Sequence, residues 1–316
     1  MKIANYELNS PYILPAIAGF SDMPMRELCY RYGAGLCFTE MVSAKGLVYG
    51  SDNSGLMLIT GENERIRAIQ LFGGDPHFFE KAILDERLKK FDIVDINMGC
   101  PVPKIVKNGE GSALMKNPEL AYEIIKISVE AAQGRPVTVK MRAGFSLEDI
   151  NACKIAELAE KAGASCVTVH GRVREQYYSG DILFSAIRDV KNSVGIPVIG
   201  NGNVHDKNTA FDMFEKTGCD GVAIARAAIG KPDIFAELTG QTFEKDLAMI
   251  IKEHFEGLLS YLPEQVAVNN FKKHFVSYLK GYKGSKNLKN LITASCSKKD
   301  VMDVLRKVED LTKGLN

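Results

Sequence analysis

Short runs rich in β-branched and apolar residues recur along this chain roughly every 25 to 40 residues, and stretches of helical period fill the gaps between them. The runs are Tyr12–Ile17, Leu36–Val42, Arg67–Phe72 and Ile93–Ile96, then Val137–Met141, Cys166–His170, Val198–Gly200 and Gly221–Ala225. Between them, Pro118–Ala132 and Leu147–Ala162 gather apolar residues on one helical face, the second closed by a glycine stop at Gly163. Eight strand–helix units over about 235 residues predict an α/β protein, a (β/α)8 TIM barrel, whose usual size is about 250 residues. A doubly wound open sheet is the alternative, and the absence of GxGxxG after the first run weighs against it.

Beyond Lys231-Pro232 the strand pattern stops. From Gln241 the chain reads as helices only: Phe243–Tyr261, Glu264–Leu279, Leu288–Cys296 and Asp300–Leu311. Two domains are therefore expected, a catalytic barrel over residues 1–238 and an all-helical domain over 239–316. With no low-complexity linker between them, they are expected to pack together.

Composition narrows the function classes. Hydrophobic residues make up 46% and charged residues 25%, ordinary values for a soluble globular protein. A net charge of +1 gives no global attraction to polyanions, so affinity for nucleic acid has to come from a local patch. The seven cysteines show no CxxC or Cys/His metal spacing, so no metal is expected, and they suit a reducing compartment. Neither a signal peptide nor an apolar run of membrane-spanning length stands out, and a cytoplasmic protein without membrane contact is expected, with a monomer as default.

The chemistry collects at the strand ends, where a barrel builds its active site. Asn97 to Lys104 follows the fourth run directly and sets an amide, a glycine, a thiol and a lysine among Pro101 and Pro103, so it reads as an ordered loop at a strand exit. Cys100 thereby gains a fixed, solvent-reachable position, whereas most free cysteines are buried hydrophobes. Gln70, Lys140 and His170 lie at other strand ends, Asn201, Gly202 and Asn203 follow the seventh run, and Ala225 and Arg226 the eighth. A lone strand-end histidine is ordinarily a hydrogen-bonded surface residue, but several polar groups on one rim form a constellation. The last two clusters offer backbone N–H groups, a guanidinium and a helix start, the usual phosphate site of a barrel. With Lys140 able to face negative charge and Gln70 and Asn97 able to bond a heterocycle edge, the set suits flavin mononucleotide (FMN) across the barrel mouth.

These residues closely resemble the tRNA-dihydrouridine synthase family, nearest its bacterial B-type subgroup. The resemblance covers essentially the whole chain. It runs through Pro15 to Asp22, Phe38 to Met41, Gln70 to Gly73, Asn97 to Lys104, Lys140 to Gly144, His170 to Arg172, Gly200 to Gly202, and Arg226 with Ala227. Two positions depart from the family pattern, which more often has aspartate where Asn203 stands and glycine where Ala225 stands. Backbone donation in the phosphate loop survives either change.

The resemblance implies that NADPH or NADH reduces the flavin, that hydride passes to carbon 6 of a uracil ring, and that Cys100 protonates carbon 5. A thiol with an ordinary pKa of about 8.5 keeps that proton near neutral pH, so a general acid is expected rather than a nucleophile. By the same resemblance Lys140 and His170 contact the flavin and the backbone of Ala16, Ile17 and Ala18 lies beneath it. Lys104 and Arg142 fit uridine or phosphate contact and structural salt bridges equally well. Arg172, Tyr177 and Tyr178, on the loop after the sixth run, have the composition for stacking against RNA. From Gln265 through Lys299 the chain has eight lysines, among them Lys272, Lys273 and Lys280, and no acidic residue, so the helical domain is the expected tRNA-binding part. Three rival readings stay open: a flavin oxidoreductase acting on a free pyrimidine or other small enone, a synthase acting on ribosomal RNA, and an RNA-binding module with a decayed site.

Overall fold

The computed structural model describes residues 1–243 and 246–313. Two short antiparallel strands, β1 (Lys2–Ile3) and β2 (Tyr6–Glu7), precede eight parallel ones: β3 (Tyr12–Leu14), β4 (Leu36–Ser43), β5 (Arg67–Phe72), β6 (Ile93–Met98), β7 (Val137–Arg142), β8 (Cys166–His170), β9 (Val198–Asn201) and β10 (Gly221–Ala223). The eight close into a barrel in sequence order, with β10 pairing back onto β3. The doubly wound alternative is thereby set aside, and the TIM barrel with a helical C-terminal part stands.

The barrel interior is layered. Ile13, Leu36, Phe38, Ala68, Ile93, Cys166, Ile199 and Ala223 form an apolar floor, and Ile3 and Leu8 of the N-terminal hairpin plug it from below. Alternate residues on one strand share a face, so the next positions up the same inward rows are Gln70, Asp95, Thr138 and Thr168, and above them Asn97, Lys140, His170 and Asn201. Apolar floor gives way to polar mouth within four residues of strand.

Several element ends differ from the sequence expectation. The first strand stops at Leu14 rather than Ile17, because Pro15 has no N–H to give the ladder and the Ile17 N–H goes to Ser21 Oγ at 2.9 Å. The eighth ends at Ala223, ahead of Ala225. The helix expected from Leu147 starts only at Ala152, since residues 145–150 fold as a loop over Gly144 and Ala152 N–H bonds to Ala143 O at 3.1 Å. Pro103 does not prolong a loop but occupies the first turn of a short helix, Pro103–Lys107, where a missing N–H costs nothing.

The C-terminal helices span Leu247–Leu259, Glu264–Tyr278, Ser285–Ala294 and Lys298–Lys313, and residues 244 and 245 of the expected first helix lie outside the described residues. Phe255, Phe271 and Phe275 of this bundle belong to the same continuous core as the barrel's outer layer. A polar staple fixes the seam. Asp22 caps the helix Met23–Arg31 by accepting from Met25 N–H at 3.0 Å, and His254 and His274 of the bundle bring Nε2 to 3.2 and 2.8 Å of the same carboxylate.

One turn further on, Arg26 is buried and forked onto Glu64 at 2.8 and 3.0 Å, and its remaining donors reach Ser21 O at 2.8 Å and Ile59 O at 2.7 Å. Breaking one half of a buried pair strands the other charge. Glu64→Ala should therefore lower stability by about 3–5 kcal/mol, read as a drop in the urea midpoint at unchanged slope.

Candidate functional site: the barrel mouth

Asn97, the last residue but one of β6, is 7% exposed, and its side chain organises the loop that follows. Its Oδ1 accepts from the N–H groups of Gly99 at 3.1 Å and Cys100 at 3.0 Å, and its Nδ2 donates to Gln70 Oε1 at 2.6 Å. Gln70 Nε2 in turn donates to Asp95 Oδ2 at 2.6 Å, and Thr138 Oγ1 donates to Asp95 Oδ1 at 2.6 Å. The Cys100 carbonyl accepts from Ser112 N–H at 3.1 Å and Ser112 Oγ at 2.8 Å. Gly111, at φ +60°, leaves room for that contact, since a Cβ there would come within 3.0 Å of Cys100 Cβ and O. Cys100 is thus held from both sides and half-buried, and burial pushes its thiol up, so it is protonated at neutral pH.

Lys140 lies on the neighbouring strand β7, in register with Asn97, with Nζ 3.3 Å from Asn201 Oδ1, while Asn201 Nδ2 is anchored on Ala223 O at 2.8 Å. Burial, helped by the neighbouring Arg142, brings the ammonium down to about 8, so it carries its charge through neutral pH with donors to spare. Burial and the charges of Lys140, Arg142, Arg172 and Arg226 hold His170 well below the ordinary imidazole range, and it is neutral.

The loops after β8, β9 and β10 meet at Asn203, a residue in the left-handed region at φ +53°. Its Oδ1 accepts from Arg172 at 3.1 Å and from Arg226 at 3.0 Å. Two guanidiniums therefore converge on a neutral acceptor, and Arg172 Nη1 is buried with no partner among the described residues. An unmet buried cationic donor beside the Gly202 turn fits an anion such as a phosphate. The Tyr178 ring lies over this rim, 5.4 Å from Arg226 and 5.8 Å from Arg142.

The structure brings Cys100, Gln70, Asn97, Lys140, His170, Asn201, Gly202, Asn203, Ala225 and Arg226 to one mouth, with the Ala16–Ala18 loop on the same rim. Arg142 sits elsewhere than a salt bridge or an exposed substrate contact: it is 2% exposed and donates to the carbonyls of Gly99, Val173 and Tyr177 at 2.8–3.0 Å, tying the Cys100 loop to the loop after β8. Arg172 is likewise buried, with Nε and Nη2 on Gly180 O and Nη2 also on Asn203 Oδ1, while Nη1 stays unmet among the described residues. Tyr177 and Tyr178 stay exposed, and Lys104 is exposed on its short helix. Of the bundle lysines, Lys273 abuts Gly19 in the loop after β3, and Lys280 lines a cavity of about 270 Å3 with Arg226 and Gly230, so both reach mouth loops, while Lys272 is half-buried. Asp95, Thr138 and Ser112 were not foreseen, although a charge inside the apolar run Ile93–Ile96 was a usable signal for the first.

An eight-stranded α/β barrel with an ordered thiol loop and a cationic rim at its mouth defines the class. The chain matches the dihydrouridine synthase (Dus) family model over residues 13–314, and it belongs to that family. It is 36% identical over 289 residues to the tRNA-dihydrouridine synthase B of Proteus vulgaris, spanning 89% of each chain. It is 37% identical over 308 residues to the probable tRNA-dihydrouridine synthase of Rickettsia conorii, spanning 92% of each. Among solved structures, the old yellow enzyme homologue of Zymomonas mobilis matches with a TM-score of 0.57 at 11% identity, covering 78% of this chain and 93% of that one. Morphinone reductase matches with a TM-score of 0.52 at 15% identity, covering 79% of this chain and 91% of that one, and both matches are likenesses of fold. No helix among the described residues is long and apolar enough to cross a membrane.

Burial lifts the Asp95 carboxyl to about 6, the bonds from Thr138 and Gln70 and the Lys140 charge offsetting only part of it. An unfolded aspartate titrates near 3.9, so between about pH 4 and 6 the native state keeps a proton that the unfolded chain has lost. The stability Asp95 contributes is complete below pH ~4 and is lost as the pH rises through the folded value. Relative to the parent, Asp95→Asn should gain about 2–3 kcal/mol between pH 4 and pH 7, measured by urea unfolding at each pH.

Proposed function

We propose that this chain is a flavin-dependent tRNA-dihydrouridine synthase, which reduces the 5,6 double bond of specific uridines in tRNA with FMN as its cofactor and NADPH or NADH as reductant. The observation that carries the reading is Cys100: a protonated thiol on a loop ordered by Asn97, facing a rim where Lys140 and two arginines await an anionic ligand. The family match and the names of the curated relatives support the substrate class.

Bound FMN, once reduced, supplies the hydride that carbon 6 of the uracil accepts. The chain's own residues do the rest. Arg172, Arg226 and the backbone of Asn201, Gly202, Asn203 and Ala225 would hold the FMN phosphate, the Ala16–Ala18 backbone would lie against the ring, and the remaining N–H of the Gln70 and Asn97 amides would bond its edge. Lys140 offers a positive charge below pH ~8 and neutral His170 adds a hydrogen bond without a further charge. Cys100 completes the addition by giving its proton to carbon 5, and a raised thiol pKa is what a proton donor needs at neutral pH. The target uridine sits in folded RNA and has to be turned out into the pocket, with Tyr177 and Tyr178 available to stack. We assign RNA recognition to the helical domain over residues 239–316, through Lys272, Lys273 and Lys280 with Lys104 on the barrel side, in a cytoplasmic monomer.

Cys100→Ala should bind FMN and be reduced by NADPH while forming dihydrouridine about 10²–10⁴-fold more slowly; product at a near-normal rate would refute the assignment. Replacing Lys272, Lys273 and Lys280 together with Gln should weaken tRNA binding and flatten the log K against log[salt] slope by up to about 3. Binding that ignored both salt and these changes would remove the bundle from the interface.

A further inference from the structure

We propose that Asp95 is a positioning residue that sets which way the Gln70 and Asn97 amides face and, through them, holds the Cys100 loop. Asp95 is 1% exposed, one inward step below Asn97 on β6, too deep to reach a ligand at the mouth. An ionised carboxylate accepts hydrogen bonds and donates none. With Oδ1 taken by the Thr138 hydroxyl, Oδ2 obliges Gln70 to present its NH2 end, which turns Gln70 Oε1 towards Asn97. Asn97 therefore meets it with Nδ2, leaving Oδ1 for the N–H groups of Gly99 and Cys100.

The two ends of a planar amide have nearly the same shape, so packing alone does not choose between its two half-turn orientations. A group with one fixed polarity at the bottom of the column does choose, and each amide passes the choice upward. The chain runs from carboxylate to amide to amide to loop N–H without a break, in bonds of 2.6, 2.6 and 3.0 Å. At pH 8 the Asp95 carboxyl, near 6, is ionised and its acceptor-only character is complete. The catalytic weight given to this loop rests on the function proposed above, but the polarity of the column does not.

The test is a pair of substitutions that reverse the column. In Asp95→Asn the acceptor-only group is gone: the Thr138 hydroxyl can donate to or accept from either end of the new amide, so Gln70 is no longer obliged to present NH2, and whenever Gln70 and Asn97 face the other way the loop N–H groups meet a donor. Amide hydrogen exchange at Gly99 and Cys100, followed by mass spectrometry at pH 8, should quicken about tenfold, the loss of one buried hydrogen bond, and iodoacetamide should label Cys100 faster. Asn97→Asp alone should do the same, because Gln70 then lies between two acceptors. The double substitution Asp95→Asn with Asn97→Asp restores an acceptor above and a donor below, and exchange should return to within about twofold of the parent, against the additive damage expected of independent sites. Should either single variant fail to fold, the double variant must fold where it does not. Unchanged exchange in Asp95→Asn, or a double variant worse than both singles, overturns the proposal. Measuring each protein with and without added FMN separates loss of cofactor from loss of loop order, so the outcome does not depend on turnover.

Discussion

A closed eight-stranded barrel is filled by its own side chains, so a polar group placed inside it has to find its partner inside as well. That constraint governs this molecule. The floor meets it by being apolar, sealed below by the N-terminal hairpin. The upper layers meet it with one connected column, in which Thr138, Asp95, Gln70 and Asn97 satisfy one another and hand the last acceptor to the Cys100 loop. A half-satisfied column would be worse than an apolar core, because each unmet buried group costs about 1–3 kcal/mol. The order of the mouth is therefore inherited from the middle of the barrel.

Charge at the rim follows a different logic. Lys140, Arg142, Arg172 and Arg226 crowd together in a chain whose net charge is +1, and burial first, with their mutual repulsion added, depresses Lys140, Arg142 and His170. Arg142 tolerates burial by donating to three carbonyls. Arg172 and Arg226 are oriented by Asn203, whose amide oxygen fixes two guanidiniums while cancelling neither charge. A carboxylate at that position would orient them equally well but would offset part of the field that a phosphate would otherwise meet. Uncompensated cations are costly when buried without a ligand and favourable when one arrives, which is the electrostatic form of a binding site.

Most of the architecture was legible because its signals are local. Period-two runs and helical patterns mark strands and helices, and strand ends name the rim, so Asn97, Lys140, His170, Asn201 and Arg226 could be placed together before any coordinates. The misplaced boundaries came from competition that periodicity does not express. Leu147 and Ile150 have helical spacing, yet both are exposed because the segment folds over Gly144. By sequence Arg142 fits substrate contact or a salt bridge and Arg172 fits RNA, and only three-dimensional proximity shows that backbone carbonyls take up most of their donors. Asp95 was passed over for the opposite reason: a charge within an apolar run reads as an interruption until its partners on β5 and β7 are seen.

The seam between barrel and bundle fixes where the bundle lysines stand relative to the mouth. Asp22, the cap of the Met23–Arg31 helix, meets the imidazoles of His254 and His274, and the bundle shares the core of the barrel's outer layer, so it is docked through core and staple rather than tethered. On the Glu264–Tyr278 helix, Lys273 reaches the loop after β3, and Lys280, just beyond it, reaches the loop after β10. A phosphate held by either lysine then lies at a set distance from the thiol of Cys100, because every element between them is packed. If RNA binds along this face, the choice of uridine depends on the length of strand between the phosphate contacts and the mouth. Base identity need not be read at the lysines, since a rigid spacing already excludes bases that cannot reach.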